Sequence, residues 1–224
     1  LRGKVVLVDF WTYSCINCQR TFPYINAWYA KYKDQGLEII GIHTPEFAFE
    51  KDINNVRKAM KQFGITYPVV LDNDYATWNA YGNRYWPRKY LIDIHGNVVY
   101  DHIGEGAYEE TEKKIQELLQ GRKIILGMNK EISSDISKPE GVIAVDTLNP
   151  RSPEIYFGAS RNTHLGNGKA KTIGIQNFFL PPNTKTNTVY FVGQWNIQDE
   201  FAENQSNQAK IIFRYQGKNV YFVA

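Results

Sequence analysis

VVLVDFWTYSCINCQRTFP, running from Val5 to Pro23, is the stretch whose reading decides the fold. It opens with Val5, Val6, Leu7 and Val8, an apolar, β-branched run that predicts a buried strand from Lys4 to Phe10. A charge, Asp9, interrupts the run, and Phe10 and Trp11 follow it. After a short turn come Cys15 and Cys18, the only 2 cysteines of the 224 residues, spaced C-x-x-C. Phe22, Ile25, Trp28, Tyr29 and Tyr32 then recur at helical spacing, so a helix with Pro23 inside it follows the thiols down to about Asp34.

A thiol attacks as its thiolate, and at a free pKa near about 8.5 few thiols are ionised at neutral pH. The mouth of a helix offers unpaired N–H groups and the positive end of the helix dipole. Cys15 is expected there, which favours its thiolate and makes it the attacking sulfur. Cys18, one turn further in, is expected to be more buried and to resolve the mixed disulfide that Cys15 forms. It must lose a proton to do so. Asp9 is the candidate acceptor, because a carboxylate inside an apolar strand is expected to have its pKa raised by desolvation. A C-x-x-C pair is also half of a zinc site. Zinc needs further ligands, and His43, His95, His102 and His164 lack the close pairing that zinc sites show. No metal and no cofactor beyond a redox-active Cys15–Cys18 disulfide are expected.

The formal charge of +3 is small and dispersed, which argues against a nucleic-acid partner. No apolar run approaches the roughly 18–20 residues of a membrane span. Leu1 stands at the edge of a strand, and Val220 to Ala224 reads as the middle of another. The sequence is therefore expected to be an excised part of a longer chain.

Beyond the first helix, Leu37 to His43 predicts a second buried strand, followed by a loop carrying Glu46. Parallel strands put their C-terminal ends on one edge, where sites lie, so Glu46 is a candidate site residue. A helix to about Phe63, a strand from Tyr67 to Leu71 and a helix from Asp74 to Tyr81 come next. Pro87 stands ahead of a hairpin, Arg88 to Asp93 and Val98 to Ile103, in a place suited to a cis bond, although an ordinary trans proline starting the strand is the commoner case. Such a turn would expose the backbone of Trp86 to an extended peptide. Arg84, Arg88 and Lys89 form a basic cluster, read as a solvated face or a contact for an acidic partner. Tyr108 to Leu119 predicts the last helix, ended by Gly121.

After about Arg122 helical periodicity is lost and turn formers become dense. The expected layout is an α/β domain over 1–122, a linker over 123–148 and an all-β sandwich over 149–224 that the end of the sequence is expected to truncate. The strands expected in the sandwich are Ile155 to Phe157, Thr172 to Ile175, Asn177 to Leu180, Thr188 to Trp195, Lys210 to Tyr215 and Val220 to Val223. Its aromatics, Tyr156, Phe157, Phe178, Phe179, Tyr190 and Trp195, could form a sugar platform, though aromatics in β-runs are more often core.

VDFWTYSCINC resembles the thioredoxin superfamily, with Asp9, Trp11, Cys15, Cys18 and Pro23 in its order and Pro87 where its cis-proline stands. The resemblance implies a thioredoxin-like α/β domain, with Trp11, Trp86 and Pro87 flanking the substrate. The insertion from Glu46 to Phe63 resembles that of the TlpA/ResA-like extracytoplasmic branch, whose active-site glutamate Glu46 matches. WTYSCINCQR, GIHTPEFAFEK and the Trp86–Pro87 loop are similar to the DipZ-type family. Its second domain, similar to SPEIYFG and VGQW here, is a carbohydrate-binding-module-like, jelly-roll-like sandwich. That resemblance implies an extracytoplasmic thiol-disulfide oxidoreductase, membrane-anchored in the full-length protein. It implies a reductant linked to cytochrome c biogenesis and fed by a CcdA-like membrane electron donor. Expected partners are protein dithiols or disulfides such as apocytochrome c, and a glycan for the second domain. Two other readings stand beside this one. Thr12, three residues before Cys15, is reminiscent of a peroxiredoxin-type peroxidase, although Val8 stands where that family has a proline. The chain could also act chiefly as a glycan- or partner-binding protein.

Overall fold

In the computed structural model, which describes residues 1–129, 131–143 and 152–223, the chain divides into one unit over Leu1–Val145 and another over Asp146–Ala224. The expected boundary between 148 and 149 lies outside the described residues.

The first unit is built on strand β1 (Val5–Trp11): β2 (Leu37–His43) pairs with it in parallel and β3 (Val69–Leu71) in parallel with β2, while β4 (Arg88–Ile92) pairs with β1 antiparallel and β5 (Val98–Ile103) antiparallel with β4. The sheet order is β3-β2-β1-β4-β5, so β1 is central. Every residue of β1 is buried. Strand alternation divides its side chains between two cores. Val5, Leu7 and Trp11 pack with helices α1 (Ile16–Tyr32) and α4 (Tyr108–Ile125), through Phe22, Ile25, Trp28, Ile115 and Leu119. Val6, Val8 and Phe10 pack with Tyr90 and with Trp78 of α3 (Ala76–Ala80). Asp9 is thereby placed on the α1 side, between Leu7 and Trp11. The inserted helix α2 (Ile53–Gln62) adds Val56 to the α1-side core.

Helix α1 contains Pro23 and passes into a 3-10 turn over Lys33–Gln35. Gly36 stops it in the left-handed region, at φ 109°, where a side chain would also collide with the Arg122 guanidinium 2.6 Å away. Gly121, expected to end α4, does not; the helix runs on to Ile125 and stops before Gly127, at φ 62°. Arg122 holds the extra turn in place, donating to the carbonyls of Gly3 at 2.6 Å and Gln35 at 3.3 Å. Residues 123–125 of the expected linker are thus helix.

Residues 131–143 have no regular structure but are fastened to the first unit by Glu112 of α4. Its carboxylate accepts the Ser137 amide (2.8 Å) and hydroxyl (2.7 Å), the Trp28 indole N–H (3.1 Å), the Tyr32 hydroxyl (2.8 Å) and the Lys31 ammonium (3.1 Å).

The second unit carries an antiparallel sheet. Its long strand β7 (Val189–Ile197) pairs with β6 (Gly174–Phe178) and β8 (Ala202–Asn204) through its second half and with β9 (Lys210–Phe213) through its first. Gly193 marks the change of partner. Its φ is 85°, and a Cβ there would sit 2.6 Å from the Ser206 hydroxyl. One strand, β6, replaces the two expected over 172–180. Ile155–Phe157 and Val220–Val223 are not strands, and β8 was not expected. Phe178, Phe191, Trp195 and Ile197 form the core.

Candidate active site

The carboxyl ends of β1 and β2 and the start of β4 meet at one edge of the first sheet, and the dithiol turn leaves from there. Cys15 caps α1: its backbone is extended, and its sulfur accepts the Cys18 amide at 3.3 Å. The two thiols are not bonded to each other. Cys15 is half-buried, whereas Cys18 has no exposed surface. Burial pushes the Cys18 thiol well above the ordinary thiol value, and the hydrogen bond and charge of Cys15 push it further the same way. An attack by Cys18 therefore needs a base.

Asp9 lies on the same side of β1, near enough for its charge to push the Cys18 thiol up as well. It is fully buried, and neither oxygen has a hydrogen-bond partner among the described residues. Desolvation raises its pKa to about 7, against a lowering pull from the Lys89 ammonium. Lys89 faces it directly across the β1–β4 ladder and is itself buried, its ammonium 3.5 Å from the Gly104 carbonyl. Burial lowers the Lys89 pKa, with Asp9 and Cys18 pulling it back up. This corrects the solvated-cluster reading for Lys89. Strand alternation splits the cluster: Arg88 turns out to Asp101, at 2.7 Å, and Lys89 turns in.

The Trp86–Pro87 bond is cis, Pro87 is buried, and the Trp86 indole is held by the Thr44 carbonyl at 3.0 Å. Trp11, expected at the substrate surface, has no exposed surface at all. It lies edge-on to Phe22 and His43, with ring centroids 5.1 and 4.8 Å away, because β1 extends through it and turns it into the α1-side core. It can support the turn from below but cannot meet a substrate. Thr12 is buried too, its hydroxyl 3.4 Å from His43 Nε2, and burial lowers the His43 pKa to about 4.

Glu46 is half-buried in the loop after β2, where its amide donates to Glu50 at 2.6 Å. Glu50 is the fully buried glutamate of this loop, and it also accepts the Ser14 hydroxyl at 2.6 Å. The sequence singles out neither residue for the site: Lys89 reads as part of a basic cluster, and Glu50 has no role assigned. A charge inside an apolar strand, the signal that singled out Asp9, was available for Lys89. For Glu50 the only local signal was an acidic residue in the first turn of a short helix. Among the described residues no cluster of His, Cys, Asp or Glu could hold a metal ion, and no helix is long and apolar enough to cross a membrane.

Two family models match the chain: Redoxin over residues 1–119, and the thioredoxin-like C-terminal domain over residues 152–224. Protein DipZ of Mycobacterium tuberculosis is 45% identical over the whole of this chain, which spans 31% of that protein. The thiol-disulfide oxidoreductase ResA of Bacillus anthracis is 36% identical over 53% of this chain and 65% of its own length. The crystal structure of a thioredoxin-like superfamily protein, 25% identical, superposes with a TM-score of 0.50 over 53% of this chain and 82% of its own. The chain therefore spans about a third of the DipZ proteins that it resembles from end to end. A redoxin model covering more than half its length, on a central strand that delivers two thiols to a helix mouth, places this chain in the redoxin family, with a thioredoxin-like fold.

Proposed function

We propose that this chain is a thiol-disulfide oxidoreductase acting on protein substrates as a reductant. The observation that carries the reading is the stacking of one reachable sulfur, Cys15, over a buried one, Cys18, with an orphan carboxylate, Asp9, on the same side of the sheet. The Cys15 thiolate attacks one sulfur of a substrate disulfide, and the other leaves as a thiolate that takes up a proton. Cys18 then gives its proton to Asp9 and attacks the Cys15 sulfur. The substrate's second sulfur leaves, the Cys15–Cys18 disulfide forms, and the substrate departs with both thiols reduced. Asp9, with its pKa near 7, can accept that proton at neutral pH and release it again. Pro87 and the Trp86 backbone border the site where an extended substrate would lie, and Glu46 belongs to its rim.

The resemblance to DipZ and ResA supports a finer reading. The site works outside the cytoplasm, in a protein anchored to the membrane. A CcdA-like membrane donor re-reduces it, and apocytochrome c is among its substrates. Replacing Cys18 with Ala in the native envelope tests this. Proteins should accumulate on Cys15 as mixed disulfides, with apocytochromes among them. An unreactive Cys15 that captures nothing would overturn the oxidoreductase reading.

For the second unit we propose a glycan ligand. Of the aromatics considered for a platform, Phe178, Tyr190 and Trp195 are buried, but Phe179 is 81% exposed. It borders a cleft of about 290 Å³ lined by the amides of Asn177, Gln194, Asn207 and Gln208 and by Ser206. Amides beside one exposed ring suit a polyhydroxylated ligand. Titration of soluble glycans against the whole chain and its Phe179→Ala variant checks it; no binding to either would remove the reading.

A further inference from the structure

The mechanism above gives Glu50 no task, yet no carboxylate is bonded more directly to the dithiol turn. It has no exposed surface. Oε1 accepts the Ser14 amide at 3.2 Å and the Ser14 hydroxyl at 2.6 Å. Oε2 accepts the amides of Glu46 at 2.6 Å and Phe47 at 3.0 Å. No lysine or arginine pairs with it among the described residues. A buried anion is tolerated only when its lone pairs are met, and here four N–H and O–H donors from two segments meet them. Two more bonds join the same segments or brace the turn: the Tyr13 hydroxyl donates to the Phe49 carbonyl at 3.1 Å, and Gln19 donates to the Tyr13 carbonyl at 2.8 Å.

We propose that Glu50 is a positioning residue for Cys15. It ties the loop after β2 to Ser14, the residue before the nucleophile. It thereby holds the Cys15 sulfur where the Cys18 amide reaches it. The task requires a carboxylate. Glutamine is the same size but turns an NH2 toward two of the donors; the Ser14 hydroxyl can turn to accept from it and a backbone amide cannot, so Glu50→Gln loses the charge and at least one bond of four. Ser14→Ala removes only the hydroxyl bond and keeps the charge.

The direction of the effect separates this role from that of a nearby charge. In the disulfide form a covalent bond to Cys18 already fixes the Cys15 sulfur. In the dithiol form the free Cys15 sulfur accepts the Cys18 amide, a bond for which a disulfide sulfur is a much poorer acceptor, so a clamp that holds this geometry favours the dithiol. A mere negative charge beside a thiolate would disfavour the dithiol. Removing a clamp therefore shifts the equilibrium toward the disulfide, and removing a bystander charge shifts it toward the dithiol.

The inference rests on Cys15 being the redox nucleophile, and its test needs no protein substrate. The equilibrium of the whole chain with glutathione is measured for the wild type, Glu50→Gln and Ser14→Ala, alongside the alkylation rate of Cys15 and the thermal unfolding of each reduced protein. For Glu50→Gln we expect a shift toward the disulfide of about tenfold, the scale of one lost charge-assisted bond, with slower alkylation. For Ser14→Ala we expect about threefold in the same direction. A shift toward the dithiol, or none, in a folded Glu50→Gln overturns the proposal. If Glu50→Gln does not fold, Ser14→Ala decides, and an unchanged equilibrium there overturns it. A Cys18→Ala variant that traps no protein, together with these shifts, would remove the substrate reading and leave this one standing.

Discussion

Asp9, beneath the dithiol, and Glu112, at the C-terminal end of α1, are both removed from water. Asp9 lies between Leu7 and Trp11 with no hydrogen-bond partner, and burial carries its pKa to about 7. Burial also pushes the Glu112 carboxyl upward. The Ser137 hydroxyl and amide, the Tyr32 hydroxyl and the Lys31 ammonium more than reverse that push, and its pKa ends below the ordinary value. The difference lies in the donors, not in the depth. A buried carboxylate surrounded by donors is a permanent anion that fastens chain segments together. One without donors exchanges protons in the neutral range and costs stability whenever it is charged.

The largest effect is expected from removing the well-bonded member. Glu112→Ala strands the Trp28 indole N–H, the Tyr32 hydroxyl and the Ser137 amide, and should cost about 3–5 kcal/mol in urea unfolding at pH 7. A cost under about 1 kcal/mol would break the comparison. Asp9→Asn should do the opposite. The folded-state pKa of Asp9 lies above its unfolded value, so the folded protein keeps a proton that the unfolded chain releases. The wild type thus loses stability as pH rises from about 4 to about 7. The variant escapes that loss. It should gain about 2–4 kcal/mol at pH 8 and nothing below pH 4, at about 1.4 kcal/mol per pKa unit. Stopped-flow measurement should also show its mixed disulfide resolving about tenfold or more slowly at pH 7. Equal stability of the two proteins at pH 8 would contradict the desolvated Asp9.

Smaller effects test the cations. Lys89→Met removes the one charge that lowers the Asp9 pKa. The pH at which resolution is half-maximal should then rise by about one unit, and an unchanged profile would mean that Lys89 is neutral. Lys31 is the partly exposed partner of Glu112, so Lys31→Met should cost only about 0.5 kcal/mol. A cost near that of Glu112→Ala would move the weight of the seam from hydrogen bonds to the ion pair.

The fold of the first unit was legible because its strands are apolar runs and its helices have one apolar face. Asp9 was legible because it breaks such a run. Lys89 follows the same rule, but its neighbours Arg84 and Arg88 made it look like part of a basic surface. Only the β1–β4 register shows which of them turns inward. The burial of Glu50 depends on donors from Ser14, 36 residues away, which no local pattern records. The substrate surface expected of Trp11 depended on where β1 ends, and the strand runs far enough to bury it. Gly121 carries a stop signal that Arg122 overrides through contacts at the far end of the chain. In the second unit, β8 (AEN) is too polar to be read as a strand, and Val220–Val223 is apolar enough but lacks a ladder. A strand is a property of a pair, and sequence shows one member at a time.

The depth of Cys18 has a kinetic consequence. With one sulfur reachable, whatever oxidises the dithiol and whatever re-reduces the disulfide must both approach through Cys15. They cannot occupy the site together, so turnover must proceed by substituted-enzyme kinetics. Double-reciprocal plots at several donor concentrations should be parallel lines, and an excess of either partner should inhibit the other.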